Sequence, residues 1–189
     1  MTSVITTASK AAGPITEVSP RLKARVAGVF YTITVVTSLF AFFPGRGSPL
    51  GHAAGLIAGA AYLVVALLLY DLLKPVSRSL SLLAALFSVV GIARSDDSIF
   101  FFGFYCVLLG YLIYKSTFFP RALGVLMALA GLGLLINAFK TLLPPALEHP
   151  LSVAGFTLDG GEIVFTLWLL VMGVNVQKWE ETANRIGVA

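Results

Sequence analysis

The sequence predicts an all-α fold, a polytopic transmembrane bundle of six membrane helices with both termini in the cytoplasm. Three observations carry this. Of the 189 residues, 58% are hydrophobic and 12% charged, with a mean hydropathy of +0.92, whereas a soluble domain carries about 25% charged residues. The apolar residues fall in long continuous blocks rather than alternating along the chain, which favours helices over a membrane barrel. Lys and Arg also segregate when the blocks are threaded back and forth. Lys10, Arg21, Lys23, Arg25, Lys74, Arg78, Lys115, Arg121, Lys178 and Arg185 fall on one side, and only Arg46, Arg94 and Lys140 on the other. The positive side is the cytoplasmic one. The overall charge of +4 is spread along the chain with no basic patch, so no nucleic-acid partner is expected. The partner implied is the lipid bilayer.

Residues 1–23 read as a disordered cytoplasmic tail, because the first twenty are small and polar with two prolines and no apolar core. The cations Arg21, Lys23 and Arg25 come after this stretch and directly before the first apolar block, so that block reads as an uncleaved anchor rather than a signal peptide. The transmembrane domain covers 24–177, with apolar segments at about 26–43, 51–73, 77–94, 98–114, 121–143 and 153–176. They are separated by PGRGSP, KPVSR, RSDDS, STFFPR and PPALEHP. A span needs about 20 helical residues, which the first, second and fifth segments approach or reach. Segments 77–94 and 98–114 are shorter and read as two spans or as a re-entrant hairpin; the orientation is the same either way. Residues 178–189 read as a cytoplasmic tail, and Tyr70, Tyr114 and Trp179 fall where an aromatic belt belongs.

The second segment contains Gly51, Gly55 and Gly59. Residues four apart share a helix face, so these glycines predict a smooth strip for close packing within the bundle, or for a second copy or a partner membrane protein. Gly124, Ala128, Gly131 and Gly133 predict a second such face on the fifth segment.

The strongest candidate for a functional group is Glu162, in LDGGEIVFTLWLLVMGV. An ionisable residue inside a span is a functional candidate by default, and a full-length sixth span must include it. It is the expected ligand contact and proton acceptor. The alternative is an interfacial carboxylate favoured by its helix N-terminus, with Arg46, Arg94 or Lys140 as charge partners on the same side. His52, His149, Asp96, Asp97, Glu148 and Asp159 also fall on that side, but their spacing matches no compact ligand motif, so no metal or other cofactor is expected. Cys106 sits in an apolar run and reads as a small buried hydrophobe. No HExxH, GxSxG or Walker pattern occurs, and catalysis is the least supported class. Two classes remain: binding or transport of a small or lipophilic molecule within the bundle, and an accessory subunit associating through small-residue faces.

Four stretches taken together carry a family resemblance. ARVAGVFYTITVV at 24–36, LYDLLKPVSRSLSLLAALFSVVG at 69–91, FGFYCVLLGYLIYKSTFFPRALGVLMALAGLGLLINAF at 102–139 and GEIVFTLWLLVMGV at 161–174 resemble a bacterial family of integral membrane proteins known as domain of unknown function 4386. The resemblance implies a multi-pass protein of a bacterial plasma membrane and supplies no activity. Where this chain has only RSDDS, the family carries a longer insertion, and where it has Tyr105 the family often has histidine; roles resting on either do not carry over.

Overall fold

The computed structural model describes residues 18–94, 98–139 and 160–185, and among these the secondary structure is wholly helical. Among the described residues seven helices follow one another. They are α1 Pro20–Phe42, α2 Pro49–Leu73, α3 Arg78–Ala93, α4 Ser98–Lys115, α5 Arg121–Ala138, α6 Gly160–Val171 and α7 Val176–Arg185. Three of the starts are set by serine caps, each accepting a hydrogen bond from a backbone N–H of the first turn. Ser19 accepts from Leu22, Ser48 from Gly51 and Ser77 from Leu80, at 3.2, 3.0 and 3.4 Å. Proline follows directly in α1 and α2, where its missing N–H costs nothing and its fixed φ suits the helix. The helix therefore begins at Pro20 and includes Arg21 and Lys23, which the sequence places in the tail; residues 1–17 lie outside the described part.

Four helices, α1, α2, α4 and α5, are long and apolar enough to cross a membrane, and α6 with α7 makes a fifth if the bent pair counts as one span. The six spans expected from the sequence are thus only partly matched among the described residues. Helix α3, with 16 residues, reaches roughly 24 Å, short of the ~30 Å hydrocarbon core. The sixth segment is described only from Gly160, and it ends at Val171 in a bend of 99°. Gly173 permits the bend: its φ is +68°, and its N–H reaches back to the Trp168 carbonyl at 3.0 Å, a left-handed helix stop that favours glycine.

Beyond the bend, residues assigned to a simple tail form α7. Asn175 caps it, its side chain accepting from Lys178 N at 3.2 Å. Trp179, expected in a lipid-facing belt, is instead buried and donates from Nε1 to the Leu72 carbonyl at 2.9 Å. Leu72 belongs to the last turn of α2, whose carbonyls have no partner within the helix. The same end of the molecule holds Asp71, which pairs with Lys23 and with Lys74 at 2.6 Å. It also holds Arg25, donating to the Val171 carbonyl at 3.3 Å, where the α6 dipole favours a cation. The start of α1 and the whole of α7 therefore lie at one end of the bundle.

Neighbouring helices pack in chain order, α1 on α2 through to α4 on α5. Helices α4 and α5 meet on the second of the two small-residue faces expected from the sequence. A Cβ on Gly110 would stand 2.5 Å from the Ala128 nitrogen, and one on Gly124 would stand 2.5 Å from the Tyr114 nitrogen. Gly131 meets Gly103 and Val107 in the same way. Thus the small-residue face of the fifth segment is realised as the α4–α5 seam, where backbones touch. The Gly51, Gly55 and Gly59 strip behaves differently. Gly51 abuts Gly45 in the α1–α2 turn, Gly59 has only the Ile92 methyl at 3.4 Å, and Gly55 has nothing within 4 Å.

Candidate functional site

Helix α6 packs against α1 and α5 where small residues admit it, with Ile163, Val164, Leu167 and Val171 exposed on its other face. Gly28 of α1 lets the Leu169–Leu170 backbone approach, a Cβ there standing 2.7 Å from Leu170 N. Gly161 sits against the Leu126 carbonyl and the Ala130 side chain of α5. Phe165 and Leu169 are fully buried along the inward face. This seating carries Glu162 into the bundle, where its carboxylate oxygen Oε1 accepts from the Tyr31 hydroxyl at 2.7 Å and from the Cys106 thiol at 3.1 Å.

Tyr31 lies midway along α1, and Cys106 midway along α4. Glu162, read from the sequence as near a boundary, therefore meets its partners at the mid-depth of two spanning helices. The described part of α6, Gly160–Val171, covers roughly 18 Å at 1.5 Å per residue, and Glu162 stands about 14 Å along it from the bend. Cys106 is buried as expected, but it acts as a donor as well as an apolar filler. Glu162 keeps its own helix contact too, its backbone carbonyl accepting from Thr166 Oγ1 at 2.8 Å.

Two further tyrosines complete the cluster. The Tyr62 ring, midway along α2, packs edge-on to Tyr31 at 5.5 Å and to Tyr105 at 5.7 Å between centroids, in the geometry aromatic quadrupoles prefer. Tyr105 is itself buried, and its hydroxyl has no hydrogen-bond partner among the described residues. Five polar groups from α1, α2, α4 and α6 thus converge where apolar side chains surround them. Sequence reading missed the three tyrosines and the donor role of Cys106. One signal was present: Tyr31, Tyr62 and Tyr105 each fall in the middle of an apolar segment, whereas belt tyrosines fall at the ends.

The proposed charge partners are placed elsewhere or lie outside the described residues. Arg46 stands over the Phe42 ring at 5.7 Å, in a turn that begins after α1, roughly 18 Å along that helix from Tyr31. Arg94 is the C-cap of α3. Lys140 lies outside the described residues, as do His149, Asp96, Asp97, Glu148 and Asp159. Among the described residues no cation is within ion-pair distance of the Glu162 carboxylate. His52 sits with Arg46 at the opposite side of that turn, lining an open groove of about 600 Å³. No group of three metal-ligating side chains occurs among the described residues.

The model of a family described as domain of unknown function (DUF4386) matches residues 98–173, which include Tyr105, Cys106 and Glu162. An uncharacterised protein of Archaeoglobus fulgidus is 32% identical over 126 residues, covering 58% of this chain and 75% of the relative. No solved structure matches. The chain belongs to the DUF4386 family.

Proposed function

We propose that the protein is a multi-pass protein of a bacterial plasma membrane, with six membrane segments and both termini cytoplasmic, whose bundle binds or moves a small or lipophilic molecule. Glu162 is the polar contact and proton acceptor. The orientation is supported by the excess of Lys and Arg on one side and by the common location of the α1 start and α7. One observation carries the ligand reading: an ionisable side chain reaches the mid-depth of the spanning helices, held by a hydroxyl and a thiol rather than by a cation. A carboxyl group there is costly to keep, and such groups mark substrate or proton pathways.

Native mass spectrometry of gently extracted protein tests it. Wild type is expected to carry a specific bound mass that disappears in Glu162→Gln, which keeps the shape and removes the proton acceptor. Equal occupancy of the two proteins would sink the assignment.

A second reading, an accessory subunit, is favoured by Gly55, whose face is open in the single chain. Under it, Gly55→Leu leaves the monomer folded and abolishes association, read as loss of the dimer or of a co-purifying partner. An unchanged oligomeric state would remove this reading.

A further inference from the structure

Lys115 closes α4 and Arg121 opens α5. Both helices are long and apolar enough to cross a membrane, so the turn joining them lies at a bilayer face, whichever face that is. Here two cations stand over two tyrosine rings. Lys115 Nζ is 5.9 Å from the centre of the Tyr111 ring, and Arg121 Cζ is 5.9 Å from the centre of the Tyr114 ring, within reach of a cation–π attraction. Residues 111, 114 and 115 are three and four apart and share one face of α4, so the four side chains form one patch. It faces outward: Tyr111 is 48% and Tyr114 47% exposed, and both cations are exposed as well. Tyr111 lies one turn nearer the bilayer than Lys115. The ammonium is therefore held toward the membrane, where a long cationic side chain otherwise reaches out to water.

The protein does not answer this charge itself. Among the described residues the ion pairs are those of Asp71 with Lys23 and Lys74, and neither Lys115 nor Arg121 takes part in one. We propose that the patch binds the headgroup of an anionic phospholipid, with Lys115 and Arg121 meeting its phosphate and the exposed faces of Tyr111 and Tyr114 against its glycerol and upper chains. The position at the bilayer face supplies the partner, since lipid phosphates and amphipathic aromatic rings share that depth. The two unpaired cations set its charge: a net negative headgroup complements them, whereas a zwitterionic one brings an ammonium of its own. Each cation near an anionic membrane surface contributes about fivefold in affinity, and the pair about thirtyfold. One cation belongs to α4 and the other to α5. A bound headgroup therefore ties together the ends of the two helices whose backbones touch at Gly110 and Gly124. The site is independent of Glu162 and of which face is cytoplasmic.

The full chain, delipidated in detergent and titrated with phosphatidylglycerol or with phosphatidylcholine of the same acyl chains, tests this when the first bound lipid is counted by native mass spectrometry. Wild type is expected to prefer phosphatidylglycerol by roughly thirtyfold. Lys115→Gln and Arg121→Gln should each lower that preference about fivefold, and the double variant should abolish it. Both side chains are exposed, so the fold should survive either change; should the double variant not fold, the single ones decide. Arg21→Gln removes one exposed cation from another helix at the same end of the bundle and should leave the preference as it is. Equal affinity of wild type for the two lipids would overturn the site and leave the cations to an acidic protein partner. So would single variants that keep the full preference. A loss in Arg21→Gln as large as in Lys115→Gln and Arg121→Gln would also overturn it, since the preference would then belong to the charge of the whole face.

Discussion

Gly110→Leu is expected to destabilise the protein by about 3 kcal/mol or more, enough to lose the folded bundle at ambient temperature. The α4–α5 seam is backbone against backbone: the position a Cβ would take at Gly110 is 2.5 Å from Ala128 N and 2.7 Å from the Gly124 carbonyl. A helix backbone cannot rotate aside as a side chain can, so the two helices must part over their whole contact. In lipid that parting is not resisted by a hydrophobic drive between helices, because the tails are as apolar as leucine. The packing lost is the stabilisation lost. Thermal unfolding in detergent, followed by size-exclusion chromatography, checks this against Gly55→Leu. The latter meets nothing within 4 Å and exchanges glycine for a residue about 0.8 kcal/mol better in a helix, so its midpoint should stay or rise. A collapse of both variants alike would show that α2 is packed differently.

Trp179→Ala is expected to release α7 at a cost of about 3–5 kcal/mol, the range for deleting a buried large aromatic side chain. The indole is 7% exposed and its Nε1 satisfies the Leu72 carbonyl at the end of α2. Removing it empties the seat and orphans that carbonyl together. Among the described residues, the docking that remains is the buried Ala183, Asn175 N to the Phe118 carbonyl at 3.3 Å, and the Thr117–Thr182 hydroxyl contact at 3.1 Å. The loss should appear as local undocking rather than global unfolding, because the spanning helices pack without α7. Hydrogen exchange reads it directly. Amides of 176–185 should exchange near the rate of an unfolded peptide while those of α4 and α5 keep their protection. Retained protection in α7 would show that the tryptophan is not its anchor.

The parts of the fold that were legible in the sequence are those governed by local chemistry. Segments 26–43, 51–73, 98–114 and 121–143 correspond to α1, α2, α4 and α5 because an uninterrupted apolar run between Pro, Gly and charged breaks leaves a helix as the only way to satisfy its backbone in lipid. What failed depended on which faces meet. The glycines of α2 and those of α4–α5 look alike in a sequence, yet Gly110 is jammed against Ala128 while Gly55 faces open space. Helix α7 was missed because it lies past the last apolar block, with one tryptophan and one alanine buried among polar residues. At the candidate site, Glu162 was legible as a carboxylate in an apolar stretch. Its depth was not, since nothing in the apolar run marks the bend after Val171, about 14 Å along the helix from Glu162. Tyr31 and Cys106 lie 131 and 56 residues away in the chain, and no local pattern links them to it.

That separation has a consequence for how the protein is made. The chain enters the membrane N-terminus first, at ~5–20 residues per second, so Tyr31 precedes Glu162 by 131 residues, or by roughly 7–26 s. Through that interval α2 to α5 are added one after another, and the hydroxyl, joined later by the thiol, has no acceptor from α6. The Gly28 surface, and Ala130 once it is made, stand open until α6 arrives. Insertion of α6 is then the event that supplies the acceptor, fills the seat and closes the bundle at once. A ribosome stalled just before Gly160 would leave in the membrane an assembly complete in its spanning helices yet still waiting for its centre, a natural client for an insertase or a quality-control protease.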